Sequence, residues 1–300
     1  MPSIAILIPA YNAAATIVAT IESIQAQPVG LDSIHSIYIA DDASSDETVA
    51  IARHAWKRTL PRLHVLESSH NRGERINSNQ ALTALKNNGI EWVLILHADD
   101  LAKPTWLEMM LARIDTCASD VGSICSSWDT SWEDGRIEPG EDDPIRSIVY
   151  VKGSDATVCH TLLQGCWWHL SGCAIRLHSF ETIGGFHPQL PQMGDWEWLL
   201  RCLKDGWTIA YIPQTLLIYR QHNTSVSAQS FRIDRDIRER LLIIRRYRSI
   251  LGQRRFIAQH VRYIQWVIWR IGRAILNRSP ERILLAGQTL ILIIGNIVIR

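Results

Sequence analysis

Short apolar runs alternate with helical segments through the first 125 residues of this chain. The apolar runs are residues 4–8, 36–40, 63–66 and 92–96, and the helical segments that follow them are residues 14–26, 45–58, 74–87 and 104–116. This alternation predicts an α/β fold in which a largely parallel sheet has helices on both faces. Because ligands of such sheets bind beyond the carboxyl ends of the strands, the polar residues that follow each strand are the first candidates for a site.

Polar clusters follow all four predicted strands. They are residues 9–12 (PAYN), 41–42 (DD), 71–73 (NRG) and 97–100 (HADD). The last cluster constrains the chemistry most, because adjacent carboxylates at a strand end repel each other and lose hydration. A divalent cation carrying a phosphorylated ligand would compensate Asp99 and Asp100, since hard cations prefer oxygen ligands. The alternative is a polar turn that caps a helix starting near residue 103.

Charge divides the chain into two parts whose totals nearly cancel. Residues 232–300 carry 15 Arg and no Lys against four acidic side chains, a net charge of +11. Residues 1–231 carry 16 basic and 26 acidic side chains, a net charge of −10. We therefore expect one domain over residues 1–230 and an Arg-rich helical extension over residues 231–300, and so basic an extension suits an anionic surface.

The extension also contains an apolar stripe. Its members recur at spacings of three and four residues, which places them on one helical face: Ile257, Val261, Ile264, Ile268, Ile271 and Ile275. Basic amphipathic helices with tryptophan commonly lie in a membrane interface, although the same stripe suits packing on the first domain. Residues 283–299 carry no charge, but this helix would span only about 25 Å, which is short for a bilayer. The extension predicts peripheral attachment to a membrane.

The six cysteines lack the paired spacing of a zinc site. Reduced, mostly buried thiols suit a cytoplasmic location, which includes the inner face of the cytoplasmic membrane. A strand that begins at Ile4 leaves no room for a signal peptide before it. The first strand is not followed by a Gly-rich, Lys-bearing loop, which argues against a nucleotidyltransferase, and no nucleic-acid partner is expected.

Seven segments, in this order along residues 3–225, resemble the motifs of the family 2 glycosyltransferases, whose nucleotide-sugar-binding fold is called GT-A. They are residues 6–12 (ILIPAYN), 39–48 (IADDASSDET), 71–79 (NRGERINSN), 97–100 (HADD), 184–186 (GGF), 194–197 (GDWE) and 219–222 (YRQH). Each segment is weak alone, and their common order makes the resemblance specific. It implies a Rossmann-like, mixed but mostly parallel sheet flanked by helices, and a hexosyltransferase-type activity.

The resemblance implies a nucleoside diphosphate sugar as the donor, most simply a UDP-sugar. The implied donor-binding residues are Pro9, Tyr11, Asn12, Asp41, Asp42, Arg72, Asp99 and Asp100. Their chemistry suits the role, because an aromatic ring can flank a base, carboxylates can accept from a uracil N–H or ribose hydroxyls, and arginine can pair with phosphate. A turn aromatic, a helix cap and a solvent-exposed arginine are the structural alternatives.

The resemblance also implies a divalent cation, Mn²⁺ or Mg²⁺, held by Asp99 with His97 and His222 as further ligands. Asp99 matches the last acidic position of the family's DxD motif, whereas His97 replaces its first aspartate. Histidine suits manganese better than magnesium, so metal identity depends on His97. Contact of His97 with a ribose hydroxyl or a phosphate is the alternative.

Asp195 is the candidate catalytic base, and Glu197 is the reserve candidate. Asp195 precedes a helix whose apolar side chains can pack inward, which leaves the carboxylate at the amino end of the helix; a helix cap is the alternative. Trp167 and Trp168 lie where the family binds acceptors, and aromatic faces suit sugar rings. A pair of core tryptophans is the other interpretation.

We therefore expect an inverting glycosyltransferase that transfers a sugar to a glycan or a lipid-linked acceptor hydroxyl in cell-envelope polysaccharide synthesis. One alternative is a polyprenyl-phosphate sugar synthase, whose lipid acceptor would suit the basic extension. The other is a catalytically silent nucleotide-sugar-binding protein, for which the replacement of an aspartate by His97 is the best support.

Overall fold

The computed structural model describes residues 2–222 and 225–298. These residues form two compact units. The first unit contains the residues up to 154 together with residues 167–222, and the second contains residues 155–166 together with the chain from residue 225 onward. A short segment in the middle of the chain therefore belongs with the C-terminal helices.

A single sheet forms the centre of the first unit. Its strands are β1 (Ile4–Ala10), β2 (Ser36–Asp41), β3 (Arg62–Glu67), β4 (Trp92–Ile95), β5 (Leu101–Ala102), β6 (Val121–Trp132), β7 (Ile137–Glu138), β8 (Val149–Val151), β9 (Ala174–Arg176) and β10 (Thr208–Gln221). Eight of them lie in the order β3-β2-β1-β4-β9-β6-β10-β5, while β7 pairs with β6 and β8 pairs with β10. The β1–β2, β2–β3, β1–β4 and β6–β10 pairs are parallel, and β9 is antiparallel to β4 and β6.

Helices alternate with these strands and then continue alone. They are α1 (Ile17–Gln25), α2 (Thr48–Ala55), α3 (Glu74–Asn87), α4 (Trp106–Thr116), α5 (Asp155–Gln164), α6 (Leu177–Ile183), α7 (Gly194–Lys204), α8 (Val226–Arg232), α9 (Arg235–Arg246), α10 (Arg248–Leu276) and α11 (Pro280–Val298). The predicted α/β fold, with a mixed and mostly parallel sheet flanked by helices, is confirmed.

The central strands β1, β2 and β4 are buried along their whole length. Strands covered on both faces are continuous apolar runs, because neither face meets water. Ile17 and Ile21 of α1 and Trp106 of α4 pack into the same core as these strands. Polar side chains can therefore appear only where the strands end, which is where the candidate residues lie.

The last strand of the sheet is longer than its sequence pattern predicts. Residues 208–212 and 215–219 read as two short strands, but β10 is continuous and pairs with β6 from Val121 to Trp132. The register shifts between Ile212 and Thr215. Pro213 lies within this irregularity, where a residue without a backbone N–H is tolerated.

The segment over residues 128–160, which reads as an irregular insertion, contains the end of β6 together with β7, β8 and the start of α5. Its exposed loop is attached to the sheet by polar contacts. Gly140 N donates to Asp129 Oδ1 at 3.0 Å, and Asp143 N donates to Pro213 O at 2.7 Å.

In the second unit, α10 packs against α11, α9 and α5. The side chains buried within it include Phe256, Tyr263 and Val267. The predicted stripe lies beside this buried face, and Ile268 and Ile275 remain more than half exposed. Among the helices described, none has both the length and the apolar character needed to cross a bilayer.

Asn79 connects α3 to the loop that precedes α7, and this contact can be tested by mutation. Its side-chain amide donates to Phe186 O and accepts from Phe186 N, both at 2.8 Å. We expect Asn79→Ala to lower the free energy of unfolding by about 2 kcal/mol, because two backbone groups lose their partner.

Thr83→Ala is the matched control on the same helix, because Thr83 is exposed and its hydroxyl donates to Asn79 O of the α3 backbone. Its effect should stay within about 0.5 kcal/mol. Urea unfolding of both variants is the measurement, and equal stabilities would show that the Asn79 contact contributes nothing.

Candidate active site

The segment His97–Asp100 forms a turn directly beyond the carboxyl end of β4. Ala98 N donates to Pro9 O at 3.2 Å, and Asp100 N donates to His97 O at 3.0 Å. Thr20 Oγ1 of α1 bonds to Ala98 O at 2.9 Å and to Asp100 O at 2.8 Å. Backbone contacts to β1 and α1 thus set the position of the three polar side chains.

His97, Asp99 and Asp100 offer ligand atoms that all lie within 4.8 Å of one another. In the same cluster, His97 Nε2 and Asp100 Oδ2 are buried and have no hydrogen-bond partner among the described residues. Buried polar atoms are almost always satisfied, so this arrangement leaves room for a further group. One nitrogen and two carboxylates make a donor set that suits a divalent cation such as Mn²⁺. The residues present therefore fit the metal that the sequence motifs predict.

His222 extends this cluster from the end of β10. Its Nε2 lies 2.9 Å from Asp99 Oδ2. The hydrogen bond to Asp99 raises the pKa of His222. Burial opposes ionisation of Asp99, but the hydrogen bond from His222 and the charge of His97 outweigh it and lower the pKa of Asp99. Asp99 is therefore the ionised member of the pair of adjacent aspartates.

Asp100 is fully buried beside it. Arg220 N donates to Asp100 Oδ1 at 3.0 Å. Burial and the neighbouring charge of Asp99 raise the pKa of Asp100 to about 7. The two adjacent carboxylates consequently differ in charge near neutral pH. The histidines favour the ionised form of Asp99, whereas burial favours the protonated form of Asp100.

Arg220 connects β10 to this turn and was not predicted as a site residue. Its guanidinium donates to Asp99 O, and also to Thr20 Oγ1 at 3.2 Å and Thr16 O at 3.3 Å. Its place in the YRQH segment was the available signal, but the spacing alone does not indicate that it reaches α1. Arg220 positions the aspartate turn.

Asp41 and Asp42 lie at the end of β2, and both are buried. Asp41 accepts hydrogen bonds from Ser44 N at 2.9 Å and Ser44 Oγ at 2.5 Å. Asp42 accepts from Arg72 N at 2.9 Å and Gly73 N at 2.8 Å, which orders the start of α3. Each carboxylate can accept further bonds, because its oxygens offer about four lone pairs.

Three donor-binding candidates lie at the end of β1 or directly after it. Pro9 is buried within the strand, whereas half of Tyr11 is exposed. Asn12 has a φ of 48°, and its Oδ1 accepts from Ser45 N at 2.8 Å. The Arg72 side chain is exposed at the edge of the same end of the sheet. These residues surround the carboxyl ends of β1 and β2.

Asp195 lies in the first turn of α7 with a mostly shielded side chain. Its Oδ1 accepts from Trp196 N at 2.8 Å and lies 3.8 Å from Arg75 Nη2. Arg75 is itself buried, and its Nη2 donates to Pro191 O at 3.1 Å. A side chain at Gly194 would approach Arg75 Nε to 2.9 Å, so the tight start of α7 needs a glycine.

Glu74 completes a row of charges between the two halves of the site. Its Oε1 lies 3.6 Å from His97 Nε2 and 3.3 Å from Arg75 Nη1. The row therefore runs from His97 through Glu74 and Arg75 to Asp195. Neither Glu74 nor Arg75 was predicted from the sequence, because an acidic residue in the first turn of a helix is ordinary helix chemistry.

His169 follows Trp167 and Trp168 in the segment that the family resemblance places near the acceptor. Its ring lies 4.8 Å from the ring of Tyr219 and 5.2 Å from that of Trp128. Burial lowers the pKa of His169, so its imidazole is held neutral among aromatic rings. The ring forms an apolar wall 6.3 Å from that of His97.

The remaining candidates on the acceptor side lie in three different environments. Trp168 is fully buried, stacks on Trp198 at 5.2 Å and donates to Ser123 Oγ at 2.9 Å, so neither ring face is open to a ligand. Glu197 is buried and accepts from Arg201 Nε at 3.0 Å through both oxygens. Trp167 is partly exposed and meets Tyr211 edge to face.

The family model described as glycosyl transferase family 2 matches residues 5–168. The succinoglycan biosynthesis protein ExoO of Rhizobium meliloti is 30% identical over 121 residues, which are 40% of this chain and 32% of that protein. The putative teichuronic acid biosynthesis glycosyltransferase TuaG of Bacillus subtilis is 26% identical over 238 residues, which are 77% of this chain and 84% of TuaG. The chain thus spans about a third of ExoO and most of TuaG.

Solved structures share the fold at low sequence identity. S. aureus TarS 1–349 in complex with UDP-GlcNAc has a TM-score of 0.63 and 16% identity over 97% of this chain and 89% of that chain. The mannosyltransferase PcManGT from Pyrobaculum calidifontis, in complex with GDP-Man and Mn²⁺, has a TM-score of 0.59 and 15% identity over 97% of this chain and 87% of that chain.

The matched family covers more than half of the chain, and the sheet with its polar strand ends is the GT-A arrangement. This chain therefore belongs to glycosyltransferase family 2.

Proposed function

We propose that this enzyme transfers a sugar, with inversion, from a UDP-sugar to a hydroxyl of a glycan or lipid-linked acceptor during cell-envelope polysaccharide synthesis. The row His97–Glu74–Arg75–Asp195 is the observation that carries the proposal. It joins a cluster suited to a cation and diphosphate to a carboxylate suited to activate an acceptor. ExoO is named for succinoglycan biosynthesis and TuaG for teichuronic acid biosynthesis, and these names support the polysaccharide role.

The donor would lie across the carboxyl ends of β1, β2 and β4. Tyr11, half exposed, flanks the base, with the backbone of Pro9 and the Asn12 turn beneath it. The free lone pairs of Asp41 and Asp42 accept from the base or the ribose. Arg72 lies at the edge of this surface and pairs with phosphate. The UDP-GlcNAc complex of TarS, which shares this fold, supports a uridine donor.

A divalent cation would be held by Asp99 with His97 and His222, and Asp100, the third member of the cluster, would add its carboxylate. The chemistry that such an ion supplies here is charge neutralisation of the departing diphosphate. Arg220 keeps the backbone of Asp99 in place, and Thr20 holds the turn on its other side. We favour manganese because His97 is a nitrogen donor and because PcManGT was solved with Mn²⁺.

Asp195 acts as the base in this proposal. Its carboxylate removes the proton of the acceptor hydroxyl, and the oxygen attacks the anomeric carbon as the bond to the diphosphate breaks on the opposite face. Trp196 N donates to Oδ1 of Asp195, and Arg75 Nη2 lies 3.8 Å from the same oxygen, so we assign the proton to Oδ2. Buried Glu197 is unsuited to this role, because Arg201 occupies both of its oxygens.

The acceptor would approach past the partly exposed ring of Trp167. Trp168 lies in the core and would not contact the acceptor, but it would support the adjacent Trp167. We further propose that residues 231–300 form a separate extension that attaches the enzyme to the inner, cytoplasmic face of the membrane. Its arginines and its exposed stripe with Ile268 and Ile275 support such a location.

A donor screen tests the proposed function directly. UDP-, GDP- and dTDP-sugars are added with and without Mn²⁺, and the melting temperature is followed, because a ligand of the native state raises it. We expect the largest shift with a UDP-sugar plus Mn²⁺, accompanied by slow release of UDP. A shift without any UDP release, with glycan-primed lipid and polyprenyl phosphate both supplied as acceptors, would indicate a silent binding protein instead.

Asp195→Asn should separate chemistry from binding. The amide keeps the oxygen that Trp196 N and Arg75 contact but cannot take the acceptor proton, so kcat should fall by about 10²–10⁴-fold. Donor affinity should stay within about twofold. Asp205→Asn, an exposed carboxylate at the other end of α7, is the control and should leave kcat unchanged. Normal turnover of Asp195→Asn would rule out Asp195 as the base.

Asp99→Ala should weaken both the donor and the metal. Loss of the ionised carboxylate removes a ligand and the partner of His222, so calorimetry should show roughly tenfold or weaker Mn²⁺ and donor binding. Asp115→Ala, which removes an exposed carboxylate from α4, controls for net charge. Unchanged affinities in Asp99→Ala would exclude a metal–diphosphate role for the His97–Asp100 turn.

A further inference from the structure

The second unit contains a cavity of about 280 Å³ that the catalytic proposal does not use. It lies between the last turns of α10, the first turns of α11 and the junction of α8 with α9. Its lining includes four arginines and a set of apolar side chains: Arg232, Arg270, Arg273, Arg282, Phe231, Trp269, Ala274, Leu285 and Ala286, together with Asp234 and Asn277. Volumes near ~300 Å³ are typical of small-molecule pockets.

Acidic side chains neutralise Arg270, one of these four arginines. Arg270 Nη1 lies 2.5 Å from Asp234 Oδ1, and Arg270 Nη2 lies 2.7 Å from Asp236 Oδ2. Both aspartates are therefore engaged with Arg270. These two ion pairs also connect α10 to the start of α9 and so stabilise this side of the cavity.

Arg273 and Arg282 are the exposed arginines at the mouth of the cavity. Neither forms an ion pair with another described residue. The Arg273 guanidinium lies over the Trp269 ring, 4.9 Å from its centroid. A guanidinium stacked in this way keeps its N–H donors in the plane of the group, where they can bind a phosphate through two parallel bonds.

The surface beside the cavity is apolar. Trp269 is 61% exposed and Leu276 is 82% exposed, and both belong to the same last turns of α10 as Arg273. Leu284 of α11 is 67% exposed. A soluble anion would leave these side chains in water, whereas an amphiphile with an anionic head would cover them. The combination of aromatic, aliphatic and arginine side chains is typical of a membrane interface.

We propose that this cavity binds the phosphate group of an anionic membrane lipid, with Arg273 and Arg282 as its ligands and the adjacent apolar side chains in the interface. Trp269 orients Arg273, and Asp234 and Asp236 hold Arg270 in the wall behind it. Through this site the basic extension would bind lipid phosphate specifically, in addition to any attraction from its overall positive charge. The inference rests on the proposed membrane attachment for the source of its ligand and is independent of the catalytic assignments.

Calorimetry with dihexanoyl phosphatidylglycerol below its micelle concentration tests the site, because a monomeric lipid offers no charged surface. We expect saturable binding of one lipid per full-length chain. The Arg273→Gln/Arg282→Gln variant should bind at least tenfold more weakly. The control Arg245→Gln/Arg254→Gln removes the same charge from exposed positions of the same unit and should stay within twofold of the parent chain.

Further arms separate the sources of the phosphate. Inorganic phosphate should bind at least tenfold more weakly than the lipid, and equal affinity would overturn the lipid assignment in favour of a free phosphate. Absence of saturable lipid binding, or equal losses in both double variants, would also overturn it. An Arg273→Lys/Arg282→Lys variant, which keeps the charge, should also lose binding, while thermal melting checks that each variant is folded.

Failure of this site is distinguishable from failure of the broader proposals. The donor shift and UDP release report the catalytic unit and should be the same in both double variants. Sedimentation with vesicles of phosphatidylglycerol and phosphatidylcholine reports attachment. Parent chain that sediments with these vesicles but binds no monomeric lipid would leave attachment standing and overturn the pocket.

Discussion

The buried carboxylate of Asp100, next to that of Asp99, is the constraint on which the rest of the active site depends. Two adjacent acidic groups with little water need positive charge or proton sharing to remain together. His97 lies in the same turn as the two aspartates, and the end of β10 brings Arg220 and His222 to them. The parallel pairing of β10 with β6 delivers Arg220 and His222 to the turn that follows β4. The order of the strands in the sheet therefore determines which charged side chains surround the two aspartates.

The same arrangement continues to the acceptor side through α3. Asp42 orders the residues that start this helix, and Glu74 and Arg75 in its first turns face His97 and Asp195. A helix start is rigid and well placed to fix such groups, because its position is set by the strand before it. The donor and acceptor halves of the proposed reaction are therefore connected by side chains and not only by the shared cleft.

The second unit is characterised by arginine side chains around a cavity. Its arginines are many, but Arg270 is paired while Arg273 and Arg282 remain at a surface with exposed apolar neighbours. The net charge of this unit shows only that it is basic. The positions of the arginines around a cavity make it a selective surface, because directional pairing with phosphate needs fixed guanidinium groups.

The α/β class, the four strands with their helices and the polar clusters that follow them can all be read from the sequence, because buried strands are apolar runs whose ends alone can be polar. The sequence also predicts Asp99, Asp195 and His222 as site residues, because their neighbours along the chain carry the family pattern. Which of the candidate residues contact one another depends on the tertiary structure. It buried Trp168 and Glu197 in contacts of their own, and it added Arg220, Glu74 and Arg75, whose partners lie more than 20 residues away or on another helix. Local spacing records the periodicity of a helix or strand, but contacts between distant segments depend on the packing of the whole sheet.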